Sequence, residues 1–395
     1  MGFWSLLKVA SMPVVQVLLI STLGAFMATD YLNLLSTDAR RYLNKIAFFV
    51  FTPSLVFTSL VQTVRFQDII TWWFMPVNIG ITFLIGGSIG WIAVKIIKPE
   101  PHIQNLVIAM CSAGNLGNIL LIIIPAICEE DGNPFGDKTV CSKAGLSYVS
   151  FSMALGNFFI WTYTYHLIRR AGEKYRTTHL VTDDLESSNE PNDENSHLLN
   201  ESHHANYSII ESMDNHTLWD RTVGICHELG KEILSPPVVA AVIGFTFGTI
   251  KILRDLIIGD NAPLRVIQTS IKLLGDGTIP CITLILGGNL TKGWRKAKLK
   301  PTVIIAVICV RYIILPVVGI GVVKAASHFG FLPSDPLFHF VLLIQFTLPP
   351  AMSIGTMTQL FDVAQAECSV LFLWTYLVAA VAVTGWSTVF MWLLS

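Results

Sequence analysis

The chain has 395 residues, 52% of them hydrophobic and only 13% charged, with a net charge of −1 and a mean hydropathy of +0.59. Soluble domains carry about 25% charged residues, so an ordinary soluble fold is excluded, and nothing in the near-neutral charge suggests nucleic acid as a partner. Apolar runs of about 20 residues recur, the length that crosses a hydrocarbon core, and predict an all-α polytopic membrane protein embedded in lipid.

Ten spans are predicted in chain order. The first, about residues 9–29, follows a single Lys8 and ends without a small-x-small cleavage site, so it reads as a transmembrane helix and not a signal peptide. Four more follow at about 43–63, 69–97, 103–128 and 145–168. Residues 170–231 are rich in Asp, Glu, Ser, Asn and His and too poor in apolar side chains to fold alone. Five further spans lie at about 233–253, 267–290, 300–323, 337–360 and 367–394. The chain thus divides into a five-helix repeat (1–169), a disordered loop (170–231) and a second five-helix repeat (232–395).

Two of these runs are broken. Gly114-Asn115-Leu116-Gly117-Asn118 interrupts the fourth, and Leu348-Pro349-Pro350, with Gln345 and Ser353 around it, interrupts the ninth. Glycine and proline break the helical ladder, and bare backbone is tolerated at bilayer depth only where it lines a protein cavity. Paired broken helices in corresponding positions of two halves point to the substrate site of a secondary transporter. Other positions echo in the same order: Pro13 and Gly24 match Pro237 and Gly248, and Pro53 matches Pro280. An odd number of spans per repeat turns the second copy upside down, giving an inverted five-plus-five repeat with spans 4 and 9 as broken crossover helices.

Lys and Arg set the orientation. They concentrate on one side, in Arg40, Arg41, Lys45, Lys95, Lys98, Arg169, Arg170 and the cluster Lys292, Arg295, Lys296, Lys298 and Lys300. That side and the long loop are assigned to the cytosol, and both termini to the lumen or outside. Sequons at Asn200, Asn206 and Asn215 argue the reverse, but chance produces such triplets in a loop rich in Asn and Ser, and the charge bias is preferred. The stretch from Glu194 to Leu198-Leu199 has the spacing of a weak dileucine sorting signal. Cys128 and Cys141 flank a polar loop and leave a lumenal disulfide open, while the absence of CxxC or zinc spacing means no metal or cofactor is expected.

The candidate substrate-binding residues gather at the breaks. Asn115, Asn118, Gln345 and Ser353 donate hydrogen bonds without carrying charge, and Gly117, Pro349 and Pro350 free the backbone. Half-helices starting after each break aim unsatisfied N–H groups at the crossing point. No Arg or Lys lies near either break in sequence, so dipoles and amides are expected to hold an anion, weakly enough for release. The competing reading of the asparagines is interhelical glue. Ser54, beside Pro53, and Trp161, deep enough to stack on an aromatic ring, are further candidates against a packing role. Asp276 and Arg311 are intramembrane charges, costly unless functional or paired. They are read as a route for proton or charge coupling or as an ion pair, with helix capping the alternative for Asp276.

Gln345-Phe346-Thr347-Leu348-Pro349 resembles the Gln-x-x-Leu-Pro break of the plant PIN auxin efflux carriers. Leu273-Leu274-Gly275-Asp276-Gly277, ahead of Gly287-Gly288, resembles their seventh span, and Ile160-Trp161-Thr162 and Ser235-Pro236-Pro237 also match. The short N-terminus and modest central loop resemble the PIN-LIKES branch more closely. Span four departs from the PIN pattern, with Gly117 before Asn118 where those carriers have a Pro-Asn pair; Asn118 is favoured over Asn115 on its distance to Pro125. The resemblance implies a carrier and not an enzyme. It implies transport of auxin, chiefly indole-3-acetic acid, at the endoplasmic reticulum membrane, regulating intracellular auxin by elevator-like alternating access. A homodimer is a candidate assembly. Two rivals are weighed. A sodium-coupled carrier of another small organic anion, like the bile-acid transporters, would bring acidic ligands that the breaks lack. An intramembrane aspartyl protease at Gly275-Asp276 lacks the first glycine of its motif and a Tyr-Asp partner.

Overall fold

The structure, a computed structural model, describes residues 3–63, 70–129, 133–187, 236–259, 262–296 and 299–394. Among the described residues every regular element is helical. Five helices are long and apolar enough to cross a membrane: Thr37–Gln62, Phe74–Ile97, Arg265–Asn289, Pro301–His328 and Gln365–Leu394. A sixth joins them if Pro236–Thr249 and Lys251–Ile257, bent by 102°, form one span. The chain is therefore a multi-pass membrane protein. The helix Tyr165–Ser187 runs on past residue 170, where the sequence places the start of the polar loop. The sequons and the dileucine stretch lie outside the described residues.

Local chemistry sets the helix ends. Phe74–Ile97 stops at Lys98, which takes a left-handed conformation (φ 48°). Pro101 then opens the helix Pro101–Ser112 in its first turn, where a missing N–H leaves nothing unpaired. Asp335 caps Pro336–Ile344 by accepting from the Leu337 N–H at 2.9 Å, and it accepts from the Tyr148 hydroxyl at 2.6 Å. The start of the ninth apolar run is thereby tied to the helix Lys138–Phe159. Cys128 and Cys141, left open by the sequence, are disulfide-bonded with Cα atoms 5.5 Å apart, joining the end of Asn118–Glu129 to the same helix.

Helices in lipid gain little from the hydrophobic effect and rely on close backbone approach at small residues. The two most extensive helix pairs are Phe3–Met27 on Thr278–Lys296 and Thr52–Thr63 on Pro236–Thr249. Gly24 lies against the Leu284 backbone and Gly287 against that of Ser21, with no room for a Cβ at either. In the second pair Gly244 meets the Phe57 carbonyl, 3.0 Å from where a Cβ would stand. Gly86 and Gly90 do the same for Phe74–Ile97 against Cys111 and Ile108.

Three π-helical turns interrupt otherwise regular helices among the described residues, at Ala47–Phe51, Ile160–Thr164 and Val310–Ile314. Such a turn inserts an extra residue and re-aims the side chains around it, and it is frequent at functional sites. The first ends directly before Thr52, the second holds Trp161 and the third holds Arg311.

Gly287→Val is expected to wedge the first helix off Thr278–Lys296, an overpacking cost of about 1–3 kcal/mol. Thermal unfolding of the purified protein in detergent should show a lowered Tm. Gly321→Ala, at a glycine with nothing within 4 Å, should leave Tm unchanged or slightly raised.

Candidate functional site

The fourth apolar run is two helices, Pro101–Ser112 and Asn118–Glu129. The ninth is Pro336–Ile344, a 3₁₀ turn at Gln345–Thr347 and then Ser353–Leu360. Each interruption strands carbonyls at the end of one half-helix and N–H groups at the start of the next. The two interruptions pair with each other. The Asn115 N–H donates to the Pro349 carbonyl (2.8 Å) and the Ala351 N–H to the Ala113 carbonyl (2.9 Å), making Gly114 and Pro350 an antiparallel pair.

Pro349 and Pro350 have no N–H, so their segment offers surplus acceptors, and other helices fill them. Arg311 Nη2 donates to the Pro349 carbonyl at 3.2 Å, and the Tyr376 hydroxyl to the Pro350 carbonyl at 3.0 Å. Arg311 Nη1 also donates to the Cys111 carbonyl at 3.3 Å. Asn115 Nδ2 donates to the Tyr376 hydroxyl at 2.9 Å, closing a network across both breaks. Arg311 is completely buried, and Gly114 lets the chain pass its guanidinium, since a Cβ there would lie 2.8 Å from Nη2.

This corrects the expectation that no cation stands near the breaks. Arg311 reaches both, although it is 38 residues from Pro349 and 200 from Cys111 in sequence. It does not meet Asp276, which is exposed at the end of Arg265–Asp276. Among the described residues no ion pair joins the two.

Beside the paired breaks lies a cavity of about 60 Å³. Four predicted residues line it: Asn115, Gly117, Trp161 and Ser353. Gly117 and Ser353 mark the N-terminal ends of Asn118–Glu129 and Ser353–Leu360, so two half-helices begin at the same wall. The side chain of Asn118 lies outside what the structure describes. Thr52, Asn157 and Thr278 add polar groups to the wall. The sequence reading missed Thr52 and Asn157; the signal for both is a polar side chain inside an apolar run. Two buried donors in this wall, Trp161 Nε1 and Thr52 Oγ1, have no hydrogen-bond partner among the described residues. Trp161 sits within one π turn and Thr52 directly after another. Phe48 pins the Trp161 ring, with centroids 5.5 Å apart. A water needs about 10–15 Å³ of such space, so the cavity has room for about four waters and not for a bicyclic ring.

Other predicted residues are not brought to the cavity. The Gln345 amide accepts from Asn78 Nδ2 at 2.8 Å and donates to Ser152 at 2.9 Å, a fully buried tie between three helices. Ser54 donates to the Val50 carbonyl of its own helix at 2.8 Å. Pro349 and Pro350 face the other break.

Residues 9–387 match the family described as membrane transport protein. Protein PIN-LIKES 7 of Arabidopsis thaliana is 56% identical over 100% of both chains, and Protein PIN-LIKES 5 is 54% identical over the same share. Protein PIN-LIKES 3 is 44% identical over 98% of this chain and 97% of its own.

Tyr376→Phe removes the acceptor of Asn115 and the donor to Pro350 at once. A buried polar group left unpaired costs about 1–3 kcal/mol, so a clearly lowered Tm is expected. An unchanged Tm would show that this bridge does not hold the breaks together.

Proposed function

The chain belongs to the PIN-LIKES family of membrane transport proteins, and from that premise we propose that it carries auxin, chiefly indole-3-acetic acid, across the endoplasmic reticulum membrane. Membership of a transport family makes it a transporter and not an enzyme, which removes the protease reading. By moving auxin between cytosol and lumen it regulates how much hormone remains available for signalling.

One observation carries this reading: two half-helix N-termini and two unpartnered donors converge on one cavity at the paired breaks. Each N-terminus carries a partial positive charge of about one half. An auxin is a carboxylate joined to an aromatic ring. The carboxylate sits between the helix ends at Gly117–Asn118 and Ser353, with Asn115 and the Trp161 Nε1–H as donors, and the ring lies against Trp161, Met153 and Ile282. The cavity is closed to a ligand of that size, so substrate entry requires the breaks to move relative to the wall carrying Trp161 and Thr278. That is alternating access, with the paired breaks and the facing wall shifting against each other.

One feature supports ten spans in an inverted five-plus-five repeat. Under that repeat spans 1 and 6 correspond, as do spans 2 and 7. The two most extensive helix pairs, first with seventh and sixth with second, then become copies of one contact. With ten spans, the bonded pair Cys128–Cys141 falls on the side opposite the basic loops, and disulfides persist in oxidising compartments. It supports a cytosolic long loop and lumenal termini. Asp276, two residues before the cavity-lining Thr278, is the candidate proton carrier.

Radiolabelled indole-3-acetic acid flux in proteoliposomes tests the proposal. Wild type should show saturable flux. Asn115→Ala and Trp161→Phe each remove one donor worth about 1 kcal/mol, so each should raise KM about fivefold. No saturable flux from folded wild-type protein would point to another organic anion.

A further inference from the structure

We propose that Arg311 is a tethered cation occupying the place of an exchangeable one, and that removing its guanidinium opens a latent monovalent-cation site between the two breaks. The guanidinium is fully buried and bonds to one carbonyl from each break, Cys111 at 3.3 Å and Pro349 at 3.2 Å. Its Nε has no partner, and among the described residues no carboxylate forms an ion pair with it. Among the described residues, the hydrogen bonds that hold this buried charge all go to backbone carbonyls.

Those carbonyls belong to the C-terminal end of one half-helix and to the unwound segment of the other. Both kinds of oxygen carry partial negative charge, and in transporters built on broken helices they are the ligands of a bound sodium ion. Backbone acceptors at bilayer depth require a donor or a cation. Arg311 supplies both in one group that stays charged at any working pH. The site is also shaped for it: Gly114 leaves room that a Cβ would take from Nη2, and the π turn Val310–Ile314 carries the side chain. A cation attached to the chain cannot dissociate during the cycle. The wild-type protein therefore binds no coupling ion at this point, and it keeps a permanent positive charge behind the crossing.

Three physical consequences separate this from simple packing. Without the guanidinium the two carbonyls lose their cation, and the register of the breaks weakens. A small cation of the right charge restores it from solution. An uncharged side chain of similar volume does not.

The test is the Tm of purified full-length Arg311→Ala in choline chloride, in sodium chloride and in millimolar methylguanidinium chloride. Wild type should have one Tm in all three. Arg311→Ala should have a lower Tm in choline and a saturable rise of a few degrees with sodium or methylguanidinium. A wild-type Tm in choline, or a lowered Tm that neither cation raises, overturns the proposal. Should Arg311→Ala fail to fold, Arg311→Gln decides, because it keeps most of the side chain but not the charge. Its Tm should rise with sodium, and a Tm blind to sodium overturns the proposal. The readout needs no substrate, so it stands or fails apart from the assignment of auxin. Auxin flux measured on the same samples reports on that assignment.

Discussion

Backbone groups that cannot reach water must find partners inside the protein, and at bilayer depth this constraint has few solutions. An unbroken helix satisfies it alone. Two broken helices satisfy it only by meeting, and here they meet through the Gly114–Pro350 pair with one hydrogen bond on each side. The prolines make the exchange unequal, because they bring carbonyls without N–H groups. Arg311 and Tyr376 settle that imbalance from two other helices. The breaks are thus one unit spanning both halves of the chain.

The proposed function rests on how the ends are sorted. The stranded carbonyls turn toward Arg311, and the starts of Asn118–Glu129 and Ser353–Leu360 stand at the cavity. Negative helix ends are thereby neutralised from behind while positive ends face the space a ligand would enter. In the proposed function such a site holds an anion without a direct ion pair, so release need not break one. The surrounding helices pack through glycines, with backbones touching at Gly24, Gly287 and Gly244. These contacts depend on shape more than on polar bonds, which suits rigid blocks that shift against each other.

Features set by local sequence were legible. Apolar runs and the Gly and Pro interruptions act within a few residues, so the broken runs and the lining residues Asn115, Gly117, Trp161 and Ser353 could be found without a fold. Side-chain direction was not legible. Gln345 lies next to a break yet points to Asn78 and Ser152, and Ser54 turns back on its own helix. Arg311 looked like a partner for Asp276 because both are charges in apolar runs, but its true contacts lie far away in sequence and are backbone carbonyls. Thr52 and Asn157 reach the cavity only through the packing of their helices. The helix beyond residue 170 was hidden by its polarity; pairs such as Arg169 with Glu173, four residues apart at 2.9 Å, sustain a polar helix.

The most direct measurement is a cryo-EM structure with indole-3-acetic acid bound. The carboxylate should lie between the helix ends at Gly117–Asn118 and Ser353, with the indole ring against Trp161 and the cavity enlarged to hold it. Ligand density in the outer groove lined by Phe83, Trp91 and Tyr163, with the cavity at the breaks still closed, would contradict the paired breaks as the substrate site.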